Sequence, residues 1–292
     1  MIVITTPTGD IGHQVVDKLL DRGAPVRVVV RDPARLAPRV RERVEVVAGS
    51  HGDAEVLDQA FAGADAVLWI APPNRAAASV DAVYAEFARP ACEAFKRHGV
   101  ERVVGVSALG RGYPGDAGHV TASLAMDDLI GSSGVSYRAL TMPTFMESLL
   151  GQVGAIKNEG AIFWPISPDL KVPLCATRDI AAVAAGLLLD ASWSGVGSVP
   201  VLGPEDLSFN DVAGIVSDVL GRPVRFEQLP NEAFKSMLTG FGMSEPMARS
   251  MVAMSVAKDN GLDTLQPRTP EGTTPTTFRT WCEEVLKPAV DA

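Results

Sequence analysis

Residues 1–35, MIVITTPTGDIGHQVVDKLLDRGAPVRVVVRDPAR, decide the fold of this chain. Ile2–Thr5 is an apolar run of strand length, and residues 6–12 form a turn of mostly small residues. Helically spaced apolar side chains follow the turn, and Val26–Val30 is a second apolar run. This stretch therefore predicts a strand, a glycine turn, a helix and a second strand, which is the order of a βαβ unit.

The turn between the first strand and the helix predicts a nucleotide site. Phosphate oxygens can reach backbone N–H groups at a helix N-terminus when no bulky side chain intervenes. Gly9 and Gly12 hold two positions of a GxxGxxG pattern, whereas Thr6 stands at the first, where a β-branched residue is awkward if φ must be positive. An ordinary turn that binds nothing stays an alternative. The residues expected to bind a dinucleotide here are Thr6, Thr8, Gly9, Asp10, Ile11 and Gly12.

The composition limits the possible functions. The chain has 292 residues, of which 47% are hydrophobic, enough for one large or two modest domains with a sizeable core. Its net charge of −9 argues against a nucleic-acid-binding surface. There is no apolar run of about 18 residues and no basic leader. The three cysteines are widely spaced, as in a reducing compartment, and no metal spacing occurs. We expect a cytoplasmic protein without metal, membrane or nucleic-acid partner.

Apolar runs and helical patterns alternate through the first half of the chain. Because the apolar runs are continuous, the strands are predicted to be covered on both faces, as in a doubly wound parallel sheet. Ligands of such sheets bind at the carboxyl ends of the strands. The remaining strands are predicted at Val44–Ala48, Ala66–Ile70, Arg102–Val106 and Ser136–Leu140, and the helices at Ile11–Arg22, Ala54–Phe61, Ser79–Arg97 and about Thr121–Ser132.

After about Met142 the pattern becomes mixed. We predict a Rossmann-type α/β domain over residues 1–150 and a smaller, mixed α/β substrate region over residues 151–292, which could be interleaved with the first. Helices are expected at Thr177–Leu189, with Thr177 as N-cap, and at Phe209–Leu220, capped by Ser208, and strands at Val199–Leu202 and Val224–Leu229.

Several segments together resemble the NmrA-like members of the atypical short-chain dehydrogenase/reductase superfamily, and most of all the triphenylmethane reductase and NADPH quinone reductase group. The segments are TTPTGDIGHQVV (5–16), VRVVVRDPARL (26–36), LDQAFAGADAVLWIAPP (57–73), ACEAFKRHGVERVVGVSALG (91–110), SSGVSYRALTMPTFMESLL (132–150) and LSFNDVAGIVSDVLGRPVRFEQLP (207–230). The chain departs from the family pattern at Thr6, where Gly is usual, at Ser50, where Asp is usual, and at Thr141, where Arg is usual.

Arg31 is the expected cofactor-specificity residue. It follows the second strand, where NAD-selective sites carry an acid that bonds the ribose hydroxyls. A guanidinium there favours the 2′-phosphate of NADP(H), and Arg35 could join it. Asp32 is the competing acid, but it precedes a proline and is typical of a helix cap. Other cofactor contacts are expected at the ends of later strands, from Ser50, Ala71 and Pro72.

The catalytic residues are less evident, because no Tyr-x-x-x-Lys pair occurs. His119 and Ser123 have the same spacing in the corresponding region, and His119 could donate a proton or be a plain loop residue. Ser107 could bind substrate or cap a turn, and Tyr113 lies in a glycine-flanked loop that could act as a lid. Candidate apolar walls for a flat substrate, each of which could equally be core, are Phe145, Met146 and Trp164.

Two functions are compatible with these features. The first is an NADPH-dependent oxidoreductase that transfers hydride to a small aromatic or quinone-like molecule, which needs no Tyr/Lys pair if the acceptor is delocalised. The second is a catalytically silent NADP(H)-sensing regulator with a protein partner, since the resemblance includes such members. A relic that binds no nucleotide is a third possibility. The sequence also leaves a homodimer open.

Overall fold

A computed structural model describes the whole chain, Met1–Ala292. Seven parallel strands form the central sheet, and five short strands form two smaller sheets. The strands are β1 (Ile2–Thr5), β2 (Val26–Val30), β3 (Glu45–Ala48), β4 (Ala66–Trp69), β5 (Arg102–Ala108), β6 (Ser136–Met142), β7 (Thr144–Phe145), β8 (Ala161–Trp164), β9 (Val172–Cys175), β10 (Val196–Pro200), β11 (Asp206–Leu207) and β12 (Arg225–Gln228).

Helices cover both faces of the central sheet. Its strand order is β3-β2-β1-β4-β5-β6-β10, with every pair parallel, as predicted for a doubly wound sheet. The helices are α1 (Gly12–Asp21), α2 (Pro38–Arg41), α3 (Ala54–Phe61), α4 (Ala85–His98), α5 (His119–Gly131), α6 (Val153–Glu159), α7 (Thr177–Leu189), α8 (Phe209–Leu220), α9 (Asn231–Gly240), α10 (Glu245–Asp259), α11 (Phe278–Trp281) and α12 (Lys287–Asp291). None of these helices combines the length and the hydropathy of a membrane-spanning segment.

Two apolar cores lie against the central sheet, one on each face. Leu19 of α1 and Ile180 of α7 belong to the first core. Phe61 of α3, Phe95 of α4 and Met126 of α5 belong to the second. Every residue of β1 and β4 is buried, which is why these strands are continuous apolar runs rather than alternating ones.

The second half of the chain contributes one strand and one helix to the central unit and also forms a core of its own. β10 pairs with β6, with Val196 opposite Tyr137, and α7 packs on α1. The smaller sheets are β11-β9-β7 and β12-β8, and a third core that includes Leu149, Phe278 and Trp281 lies beneath them. The domain boundary at residue 150 stays a prediction.

Most of the predicted elements are present, and some of them differ at their ends. The helix predicted from Ser79 begins at Ala85, because the Ser79 hydroxyl accepts the Ala82 N–H and closes a turn instead. Ser208 caps α8 as predicted, in a reciprocal pair with Asp211. Thr177 is not the N-cap of α7 but its first residue. The last strand of the central sheet is Val196–Pro200 rather than Val199–Leu202.

Candidate functional site

The glycine turn is folded tightly around the start of α1. Thr6 has φ +48° and is the one non-glycine residue with positive φ, and its carbonyl accepts the Gly9 N–H at 3.1 Å. A Cβ on Gly12 would lie 2.1 Å from that carbonyl oxygen, so only glycine fits there. The backbone N–H groups of Asp10 and Ile11 donate to no protein acceptor. The turn therefore offers free amides at a helix N-terminus, where anions bind.

An open cleft of about 570 Å³ extends from this turn across the carboxyl ends of β2, β3 and β4. It brings together residues far apart in the chain, as expected at the switch point of a doubly wound sheet. Asp10, Ile11 and Gly12 continue from the turn into α1, and Ala71 packs behind the cleft against the core. The sequence-predicted residues that line the cleft are Thr6, Thr8, Gly9, Arg31, Arg35, Ser50 and Pro72.

Two cations face this cleft without an ion-pair partner. Arg31 and Arg35 are exposed, and neither takes part in an ion pair. The neighbouring Asp32 also lines the cleft, and its carboxylate accepts the Ala34 N–H at 3.0 Å and caps a short helical turn. The end of β2 thus presents two cations and one acid, a net positive charge that suits a phosphate monoester.

His51 lines the same cleft and was missed by sequence reasoning. Its Nε2 lies 3.0 Å from the Ile70 carbonyl, and its ring meets Trp69 and Phe87 edge-on at 5.2 and 5.0 Å between centroids. Burial lowers the pKa of His51 to about 4, so its imidazole is neutral near pH 7. Because the carbonyl can only accept, we assign the proton to Nε2. A single histidine without a spaced partner gives no signal in the sequence.

Ser107 belongs to a buried polar cluster at the end of β5. Its hydroxyl donates to one carboxylate oxygen of Asp127 and lies 3.3 Å from the Ser123 hydroxyl. Tyr137 donates to the other carboxylate oxygen at 2.6 Å. Burial raises the pKa of Asp127 to about 6, against the lowering effect of these donors. Asp127 and Tyr137 were also missed, because nothing in the local sequence joins them to Ser107.

His119 and Tyr113 lie near α10 rather than in the dinucleotide cleft. His119 begins α5, with its ring 6.0 Å from that of Tyr84, and its Nε2 has no hydrogen-bond partner. Burial lowers the pKa of His119, and a hydrogen bond with the Met247 backbone acts against this shift. Tyr113 packs on a small apolar cluster that includes Leu262. Neither residue contacts the Ser107 cluster by a hydrogen bond.

The three predicted substrate walls lie together in the C-terminal region. Phe145, Met146 and Trp164 surround a void of about 10 Å³, too small for a substrate. Met146 is buried, and Trp164 stacks on Phe209 with 5.9 Å between centroids. None of the three lines the dinucleotide cleft.

Comparisons with known proteins agree with this architecture. The NmrA-like family model matches residues 1–281. The chain is 31% identical to a (4-alkanoyl-5-oxo-2,5-dihydrofuran-3-yl)methyl phosphate reductase of Streptomyces griseus subsp. griseus, over 97% of each chain. It is 30% identical to an NAD(P)H azoreductase of Xenophilus azovorans, over 86% of this chain and 85% of that one.

A solved structure shows the same fold. The NADPH complex of the quinone oxidoreductase QOR2 from Escherichia coli aligns with a TM-score of 0.78 at 22% identity, over 98% of this chain and 100% of that one. The resemblance inferred from the segments of the sequence is confirmed by the family match along nearly the full length. The chain belongs to the NmrA-like family.

Proposed function

We propose that the protein binds NADP(H) in the cleft at the glycine turn and reduces a small aromatic or quinone-like molecule by hydride transfer. The observation that carries the proposal is the pair Arg31 and Arg35, which face the cleft without ion-pair partners beside free amides of a helix N-terminus. The names of the similar proteins, a phosphate-ester reductase, an azoreductase and an NADPH-bound quinone oxidoreductase, support a reductase.

The residues of the cleft fit the parts of such a cofactor. The amides of Asp10 and Ile11 would receive the pyrophosphate, and the two arginines the 2′-phosphate. His51 is neutral, so it adds no charge beside them and can accept a hydrogen bond at Nδ1. When bound, the nicotinamide supplies the hydride.

The protein's own residues limit the acceptor. The chain has no Tyr-x-x-x-Lys pair to protonate an alkoxide, whereas a quinone or a dye cation delocalises the incoming charge. His119 stays the candidate proton donor, Ser107 a candidate for binding substrate or cofactor, and Tyr113 a candidate lid. The apolar residues Phe145, Met146 and Trp164 could reach a substrate only if the C-terminal core opened, because they surround a closed void.

Two measurements test the proposal. In a fluorescence titration, NADPH should bind more tightly than NADH. In a steady-state assay, NADPH should be oxidised with a quinone, an azo dye or a triphenylmethane dye, and far less with a simple ketone. Equal affinities for the two nucleotides would contradict the assignment of Arg31. His119→Ala should lower turnover about a hundredfold on acceptors that need a proton, whereas His98→Ala, the control at a partly buried histidine that bonds Asp58 outside the cleft, should not.

A regulator that senses NADP(H) is the second candidate. It is favoured by one observation: His119 and Tyr113, two of the candidate catalytic side chains, pack near α10 and Leu262 instead of facing the cleft. Tight NADPH binding without turnover on any quinone, dye or enone would favour it. A pull-down of a protein partner that depends on NADPH would then support it, and sedimentation would show whether the chain also forms a homodimer.

A further inference from the structure

A second cavity, of about 370 Å³, lies at the other end of the central sheet. Its floor is the α5-facing side of β6 and β10, one wall is α5, and Gln266 and the loop after β5 close its ends. It shares no lining residue with the dinucleotide cleft, which lies over β2, β3 and β4. We call it the α5 cavity.

The strand register places a polar row along the inner end of the α5 cavity. Ser107 of β5 lies opposite Thr141 of β6, and Asp127 of α5 accepts a hydrogen bond from Ser107. Two positions earlier, Gly105 lies opposite Ala139, and a Cβ on Gly105 would be 2.0 Å from the Tyr137 hydroxyl. The missing side chain lets that hydroxyl cross β5 and bond Asp127.

The carboxylate of Asp127 retains capacity to accept hydrogen bonds. The residue is 4% exposed and lines the α5 cavity. Each of its two oxygens accepts one bond, from Ser107 and from Tyr137, whereas each carboxylate oxygen can accept two. No lysine or arginine bonds it. A buried carboxylate in this position lacks a cationic partner, which is costly unless a partner binds.

Thr141 gives an independent sign of a missing ligand. It is 5% exposed, it lines the α5 cavity, and its Oγ1 has no hydrogen-bond partner. Buried hydroxyls in folded proteins are nearly always bonded. The orphaned hydroxyl stands in the same row as Ser107, one strand away, so a donor that reached Asp127 would also be near Thr141.

The charges around the α5 cavity favour a cation. Asp127 and Asp128 line it together with one basic residue, Arg111. Arg111 is half exposed and pairs with Asp128 at 2.9 Å, and from the rim its charge lowers the pKa of Asp127 without bonding it. The remaining charge is that of the buried carboxylate. The floor of Ala139 and Val196 is apolar and suits a hydrocarbon body.

We propose that the α5 cavity is a binding site for a small organic cation with an amine or amidine headgroup, which donates hydrogen bonds to Asp127 and Thr141. An amine or amidine supplies several N–H donors at once and neutralises the carboxylate. The volume is sufficient for a headgroup on a ring-sized body. The site is separate from the nucleotide cleft and does not depend on the reductase proposal.

Calorimetric titration of the nucleotide-free protein near neutral pH tests this site. The probes are benzylamine and benzamidine, with benzyl alcohol and benzoate as neutral and anionic controls of similar size. We expect both cations to bind and both controls to bind at least about tenfold more weakly, as for loss of a charge-assisted hydrogen bond. Equal binding of benzylamine and benzyl alcohol, or no binding of either cation at millimolar concentration, would overturn the proposal.

Three variants locate the binding. Asp127→Asn keeps the shape of the side chain and should weaken benzylamine binding about tenfold or more. Asp128→Asn, on the same helix but at the rim, releases Arg111 from its ion pair and should weaken binding less than Asp127→Asn does. Thr141→Val removes the orphaned hydroxyl at constant volume and should weaken binding severalfold while leaving the protein at least as stable, because no protein bond is lost. If Asp128→Asn matches or exceeds the effect of Asp127→Asn, the cation binds at the rim and the proposal fails.

Discussion

The dinucleotide cleft and the α5 cavity lie on one sheet but obtain their charge in opposite ways. The cleft carries exposed cations, Arg31 and Arg35, beside a turn held by backbone geometry. The α5 cavity carries a buried carboxylate, Asp127, held by side chains of two strands. In the cleft, water solvates the two arginines, so their unpaired charges cost little free energy. In the α5 cavity, burial raises the pKa of Asp127 and makes its unpaired charge unfavourable. Variants at the two sites should therefore differ in their effects on ligand binding and on the pH dependence of stability.

The largest effect is expected from Gly12→Ala in the turn. The new Cβ would meet the Thr6 carbonyl at 2.1 Å, and backbone cannot move aside as a flexible side chain can. We expect a loss of about 3 kcal/mol in the free energy of unfolding, the upper end for overpacking, with loss of NADPH binding. Urea unfolding and nucleotide titration measure both. Gly9→Ala is the matched control for stability, because its Cβ would make an ordinary 3.5 Å contact. Equal unfolding midpoints for the two variants would contradict the steric argument.

Asp127→Asn should change how stability depends on pH. Burial raises the pKa of Asp127 from 3.8 to about 6, so between these values the folded state holds a proton that the unfolded state has lost. The protonated Asp127 therefore contributes fully to the free energy of unfolding below pH 3.8, and this contribution is lost as the pH rises through 6. Relative to the unmodified protein, the variant should therefore gain roughly 3 kcal/mol between pH 4 and 7.

His51 changes the pH dependence of stability in the opposite direction to Asp127 and serves as an internal comparison. Its pKa is lowered from 6.5 to about 4, so its contribution is full above pH 6.5 and is lost as the pH falls toward 4. In the unmodified protein, the effects of Asp127 and His51 on the pH dependence of stability offset each other. Asp127→Asn removes the first effect, so the variant should lose stability as the pH falls. Urea unfolding at a series of pH values checks this, and parallel curves for the two proteins would refute it.

Arg31→Ala should weaken NADPH binding by about 1.5–3 kcal/mol, the range for a hydrogen bond to a charged group, with a smaller effect on NADH. Arg41→Ala, an exposed arginine outside the cleft, is the control. Because the cleft is open, the difference should shrink as salt is added. An equal loss for both nucleotides would assign Arg31 to the pyrophosphate rather than to the 2′-phosphate.

Thr6→Gly should have the smallest effect. Glycine relieves the positive φ of Thr6 but gives the unfolded chain more freedom, and each of these effects is about 1 kcal/mol, so they nearly cancel. Since Pro7 stiffens the turn, we expect NADPH affinity to stay equal or fall. A large gain in affinity would show that the threonine obstructs the phosphate.

The sequence predicted the parts of the molecule that depend on neighbours in the chain. The strand-turn-helix unit, the position of Arg31 and the cap at Ser208 follow from local patterns, and the fold and the cap are confirmed. The predicted start of α4 was wrong, because the Ser79 hydroxyl accepts the Ala82 N–H and closes a turn before the helix. The prediction of Thr177 as the N-cap of α7 was wrong, because the carboxylate of Glu147, thirty residues away, accepts hydrogen bonds from the Thr177 N–H and hydroxyl.

The sequence by itself determined the doubly wound sheet and the charge at the end of β2, because periodicity and a short motif act within a few residues. Only the tertiary structure decided the surroundings of His51 and Asp127. Their neighbours come from other strands and helices, and burial, which sets the pKa of each group, exists only once those elements have packed. The same holds for the orphaned hydroxyl of Thr141, whose lack of a partner depends on which side chains the register of β5, β6 and β10 brings beside it.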